Sequence, residues 1–177
     1  MKLLLLVENE RDDQLLFLDT LNRSGLCNPV MVVSDGGEAI RYLNGQGIYQ
    51  ERMHYPVPGV LMLDLFLPRF SGWDVLRWTR ADARFNSLLI VVLTASLRVA
   101  DLKTAYALGA NCVLPKPCHA QDLLRLSRTF PSQWCAASEL LKPQSDPRSP
   151  LGYTPENFET TGNAPLLLAS NAPEEAT

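Results

Sequence analysis

The sequence has only two histidines, no C-x-x-C pair and no long apolar run, and each lack removes a class of function. Its four cysteines, Cys27, Cys112, Cys118 and Cys135, are widely spaced and include no C-x-x-C pair. A zinc site or disulfide framework is therefore not expected, and reduced thiols are. The two histidines, His54 and His119, have no metal-ligand company. The apolar start, Leu3–Val7, is far shorter than the roughly 20 residues of a membrane helix, and it lacks the cleavage pattern of a secretory signal. The cytoplasm is the expected location, with no membrane partner. A basic stripe is also missing. Residues 1–130 carry 14 basic and 13 acidic side chains, so nucleic-acid binding has no electrostatic support.

What is present is a regular alternation. With 177 residues and 46% apolar side chains, the chain has room for one well-cored domain and something more. Leu3–Val7, Val30–Val33, Val60–Leu63, Leu88–Leu93 and Cys112–Leu114 are short apolar runs that read as strands buried on both faces. Between and after them, residues 11–24, 38–43, 71–80, 97–108 and 119–128 have helical spacing, several ending at glycine. A longer loop covers 44–59. Five alternations predict an α/β domain over residues 1–130, a parallel sheet covered on both faces. From Pro131 the texture changes. Six of the thirteen prolines fall between Pro143 and Pro173, and the excess negative charge lies in residues 131–177. This region predicts a Pro-rich, acidic tail, mostly disordered over 138–177. Leu166–Leu168 is its one apolar cluster, read as incidental rather than as a docking segment.

In an open parallel sheet, ligands bind beyond the carboxyl ends of the strands. The first run ends in Glu8-Asn9-Glu10, the third in Asp64 and the fourth in Thr94, while Lys116 follows the fifth. Carboxylates and an amide carbonyl suit a hard divalent cation. A nucleophilic carboxylate with a hydroxyl and an ammonium beside it suits a phosphoryl group. Each residue alone has a plainer reading: a helix-dipole partner, a loop cap, a turn former, a solvated lysine. Four such residues at successive strand ends favour the chemical reading.

VENERDD at 7–13, LMLDLFLPRFSGWDVLRWTR at 61–80, VVLTAS at 91–96 and YALGANCVLPKP at 106–117 resemble the motifs of response-regulator receiver domains of two-component systems. The likeness covers residues 2–130 in order. The 44–59 loop, with its Gly-x-Tyr and Tyr-Pro-x-Pro, is similar to that of single-domain regulators paired with bacterial phytochromes. The resemblance implies a flavodoxin-like (CheY-like) fold: a five-stranded parallel sheet in 2-1-3-4-5 order with two helices on one face and three on the other. It implies that Asp64 is the phosphoacceptor, taking its phosphoryl group from the phosphohistidine of a sensor histidine kinase. By the same resemblance Mg²⁺ is held by Glu8, Asn9, Asp64 and the Phe66 backbone carbonyl, and Thr94 is the switch hydroxyl. Lys116 pairs with Asp64 or the phosphate, and its bond to Pro117 is cis. A homodimer is a further implication.

Three positions depart from the family pattern. Asn9 stands where an aspartate is usual, which removes one negative charge; weaker Mg²⁺ binding is expected unless Glu8 or Glu10 compensates. Phe66, two residues after Asp64, is apolar where a polar side chain is common. It either shields the aspartyl phosphate from in-line water or is a rim aromatic without that effect. Val113 replaces the switch aromatic and cannot swing a ring in concert with Thr94. Trp73, Val75 and Leu76 are read as helix packing, and Trp78 as packing or a partner contact. Two functions compete. One is a single-domain response regulator phosphorylated on Asp64; the other is a degenerate receiver that binds partners independently of phosphorylation. A phosphatase with an aspartyl nucleophile is disfavoured, since Phe66 cannot serve as its acid/base.

Overall fold

The computed structural model describes residues 2–96 and 98–137 together with the strand Leu166–Leu167. Five βα units follow one another: β1 Leu4–Val7 and α1 Arg11–Arg23, β2 Val30–Val33 and α2 Gly36–Asn44, β3 Val60–Asp64 and α3 Gly72–Ala81, β4 Leu89–Thr94 and α4 Val99–Ala107, β5 Cys112–Pro115 and α5 Ala120–Thr129. All strand pairs are parallel, and the order β5-β4-β3-β1-β2 is the expected 2-1-3-4-5. A sixth strand, β6 Leu166–Leu167, pairs in parallel with Val30 and Met31 on the outer edge of β2. Leu166 and Leu167, two residues of the tail's apolar cluster, thus pair through their backbone with the parent domain. The disorder expected for the rest of 138–177 falls outside the described residues.

The pleat of each central strand divides its side chains between two cores. Leu5, Leu61, Leu63, Ile90 and Val92 face α2 and α3, where they meet Tyr42, Leu43, Val75 and Leu76. Leu4, Leu6, Met62, Val91 and Leu93 face α1 and α5, against Phe17, Leu21, Leu123 and Leu126. Burial of each such side chain contributes roughly 1.5–3 kcal/mol. The continuous apolar runs read as strands for this reason: both faces are covered.

Local chemistry sets the helix ends. α2 begins at Gly36, two residues earlier than its apolar spacing indicates, because the Asp35 carboxylate accepts from Glu38 N at 2.7 Å and caps it. α3 starts after Ser71, whose hydroxyl caps Asp74 N. Gly72 is required by close approach. A Cβ there would fall on the carbonyl oxygen of Asp64 and within 2.7 Å of Leu65 Cα, so only glycine lets α3 abut the end of β3.

The packed chain also continues beyond residue 130. Pro131–Gln133 forms a 3₁₀ turn, Trp134 is buried among the α1–α5 core residues, and Leu26 and Ala136 form an antiparallel bridge. Asn28, fully buried, holds this extension with its side chain. It donates to Lys2 O (2.8 Å) and Gln133 O (3.0 Å) and accepts from Cys135 N (2.9 Å).

Candidate functional site

Parallel strands all point their carboxyl ends at one rim, so the polar residues that close β1, β3 and β4 and follow β5 converge there. Asp64, the last residue of β3, is 4% exposed. Its Oδ1 accepts from Phe66 N at 3.0 Å and its Oδ2 from Lys116 Nζ at 2.8 Å. Glu8 follows β1 and is buried; Oε1 accepts from Glu10 N at 3.0 Å, and Oε2 is paired with Lys116 Nζ. The Lys116–Pro117 peptide is cis. Thr94 closes β4, buried, its hydroxyl oxygen accepting from Ser96 N at 3.0 Å. Of the residues named from sequence, Glu8, Asp64 and Lys116 are joined directly. Thr94 shares the rim without bonding to them.

Asp13 went unread in the sequence. Its Oδ2 lies 3.0 Å from Lys116 Nζ, which gives the lysine three carboxylate partners. Four acidic side chains lie between Glu8 and Asp13, and only the phase of α1 decides which of them turns toward the rim. Glu10 does not; it is exposed and accepts from Asn9 Nδ2 at 2.6 Å. Gln14 was also missed, and it donates to Glu8 O at 2.6 Å from a buried position. His119 is the N-cap of α5 and has no place in the site. Phe66 is 56% exposed, an aromatic on the rim. Val113 packs against the α2–α3 core.

The electrostatics follow from three carboxylates, two of them buried, around one ammonium. Burial pushes the Glu8 carboxyl above its ordinary range, although the Lys116 hydrogen bond opposes this. For Lys116 burial works against the charge, yet hydrogen bonds to Asp64, Glu8 and Asp13 outweigh it and hold the ammonium above its usual range.

The fit to a divalent cation can be tested on Asn9. Its Oδ1 is buried and has no hydrogen-bond partner, and on the same rim Glu8, Asp13 and Asp64 carry more negative charge than Lys116 neutralises. An orphaned carbonyl oxygen on a rim with excess negative charge fits a hard cation. Among the described residues, no group of three His, Cys, Asp or Glu is arranged to hold a metal. The donors to a cation would be the Glu8 and Asp64 carboxylates and the Asn9 amide oxygen.

A doubly wound parallel sheet with Asp64, Glu8 and Lys116 joined on its carboxyl rim is the arrangement of a receiver. The chain belongs to the response regulator receiver domain family, which matches residues 4–128. It is similar to the response regulator Rcp1 of Synechocystis sp., 32% identical over 133 residues, which cover 75% of this chain and 88% of that protein. Among solved structures it resembles the bacteriophytochrome response regulator RtBRR (38% identity, TM-score 0.64, 71% of this chain and 75% of that one). It also resembles the Mn²⁺-bound form of Rcp1 (31% identity, TM-score 0.61, 75% and 93%). No helix among the described residues is long and apolar enough to cross a membrane.

Proposed function

We propose that the chain is a single-domain response regulator that accepts a phosphoryl group on Asp64 from a sensor histidine kinase. The observation that carries this is the buried Asp64 carboxylate at the β3 terminus, 2.8 Å from Lys116 Nζ, in a chain of receiver ancestry. A carboxylate oxygen of Asp64 attacks phosphorus while the phosphorus–nitrogen bond of the phosphohistidine breaks, and the imidazole leaves with that electron pair. Lys116 is poised to exchange a carboxylate for a phosphoryl oxygen, and the Thr94 hydroxyl to donate to another. Glu8, Asn9, Asp64 and the Phe66 carbonyl would hold Mg²⁺, which when bound would neutralise charge on the incoming group. The domain then acts on no substrate but its own phosphoryl group. The name of its relative RtBRR, a bacteriophytochrome response regulator, supports a phytochrome-type kinase as the partner.

Asn9 favours a second reading, a receiver that binds partners without being phosphorylated. Incubation with acetyl phosphate and Mg²⁺, followed by intact mass, separates the two. The first reading expects one added phosphoryl group, abolished by Asp64→Asn. An unmodified wild-type mass, with a folded protein by circular dichroism, favours the second.

A further inference from the structure

We propose that Cys27 and Cys135 form a reversible disulfide that fastens the C-terminal extension, residues 131–137, to the loop between α1 and β2. The two residues lie 108 positions apart, yet their Sγ atoms are 3.1 Å from each other. Both are in the thiol form, and both are half-buried, within reach of a small oxidant. The backbone around them is already fixed. Cys27 N donates to Cys135 O at 2.9 Å, and Ala137 N donates to Gly25 O at 2.9 Å, on either side of the Leu26–Ala136 bridge. Cys27 therefore faces Cys135 directly across an antiparallel pair. Facing residues in such pairs have Cα atoms roughly 4.5–5.5 Å apart, inside the roughly 4.4–6.8 Å span of a disulfide. Closing the sulfurs by about 1 Å to the bond length needs side-chain adjustment only.

The other two cysteines do not compete. Cys118 is buried beside the α1–α5 core, where burial pushes its thiol up to about 11. Cys112 lies in β5, and burial raises its thiol as well. Thiolates attack disulfides, so both are poor nucleophiles at neutral pH.

The oxidant is a low-molecular-weight disulfide of the glutathione class. One protein thiolate attacks a sulfur of that disulfide, forming a mixed disulfide and expelling one small thiolate. The second protein thiolate attacks the cysteine sulfur of the mixed disulfide, forms the Cys27–Cys135 bond and expels the other. Two protein thiols are oxidised, one small disulfide is reduced to two thiols, and the protons end on those thiols. A reducing dithiol reverses the sequence. Reduced, the extension is held by Trp134, by the three Asn28 hydrogen bonds and by the bridge; oxidised, it is also covalently closed.

The test uses the full chain. After incubation with oxidised glutathione, the protein is alkylated under denaturing conditions, and its mass and peptides are read. Two alkylated thiols instead of four are expected, with a single cross-linked peptide pair holding Cys27 and Cys135, reversed by dithiothreitol. Amide exchange at Cys27 and Ala137 is expected to slow at least tenfold on oxidation. Cys135→Ser abolishes both effects, and Cys27→Ser carries the same expectation should Cys135→Ser disturb the Trp134 contact. Stable glutathione adducts without a cross-link, a link through Cys112 or Cys118, or chain-to-chain dimers would each overturn the proposal. So would a correct link that leaves the amide exchange unchanged.

Discussion

On the proposed function, Asn9 would set how strongly the rim attracts a cation. Its Oδ1 is a buried acceptor without a donor, so it is ready to ligate but brings no charge. Asp13 offsets part of that loss from the first turn of α1, 3.0 Å from Lys116 Nζ, although it is 40% exposed and thus partly screened. The two residues predict opposite responses in a Mg²⁺ titration by calorimetry. Asn9→Asp adds a full charge to the rim, next to Glu8 in the chain, and is expected to tighten binding about tenfold or more, at roughly 1.4 kcal/mol per decade. Asp13→Asn is expected to weaken it only a few-fold and to leave stability within about 0.5 kcal/mol. Equal affinities for wild type and Asn9→Asp would mean that the orphaned carbonyl does not face the cation. Glu10, the other residue from which compensation was conceivable, is turned to solvent and bonded to Asn9.

Among the elements, the strands and helices were legible because burial on both faces writes continuous apolar runs, and caps such as Ser71 punctuate them. The segment 44–59 was not, since what orders it has no period. Tyr42, Tyr49 and Tyr55 pack edge-on and tilted, with ring centroids 4.9–6.2 Å apart. Arg52 reaches back to the carbonyls of Tyr42 and Leu43 at the end of α2 and donates to Tyr55 O within the segment. Arg80 is another such case: it leaves α3 to donate to Phe85 O, Leu88 O, Gly109 O and the Asn111 side chain. The tyrosine cluster makes a pH prediction. Burial holds the Tyr42 and Tyr49 hydroxyls well above the ordinary tyrosine range, so both stay protonated in the folded state while the unfolded chain ionises from about pH 10. The unfolded state then binds fewer protons, and stability falls as pH rises beyond that point. The slope is about 1.4 kcal/mol per pH unit for each tyrosine. Urea unfolding between pH 9 and 11.5 is expected to show this fall. Tyr42→Phe should make it shallower, despite losing the hydrogen bond to Pro56 O. An unchanged slope would place the alkaline sensitivity elsewhere.

For the whole molecule, topology made the site readable: once the sheet is parallel, Glu8, Asp64, Thr94 and Lys116 must share a rim. Composition hid the extension, because Pro131 and the polar residues around it read as a tail, whereas Trp134 and Asn28 bind 131–137 to the domain. The same fold builds a pocket in which Glu8 and Asp64 are buried near each other, and Asp64 adds to the rise of the Glu8 carboxyl. Removing one partner from a buried ion pair usually destabilises, since it strands the other charge. Here Asp64→Asn leaves Lys116 with Glu8 and Asp13, so no charge is stranded and one repulsion is relieved. Without divalent cations, Asp64→Asn is therefore expected to be more stable than wild type by about 1 kcal/mol, a rise in Tm of roughly 2–4 °C for a chain of this size. With Mg²⁺ the order should reverse. Wild type gains about 2.7 kcal/mol at one hundred times its Kd, while Asp64→Asn, short of a carboxylate donor, gains far less. Thermal unfolding of both proteins with chelator and with Mg²⁺ measures all four states. Were Asp64→Asn to melt lower than wild type in chelator, the hydrogen bond from Lys116 would outweigh the repulsion, and the pocket would not be poised for a cation.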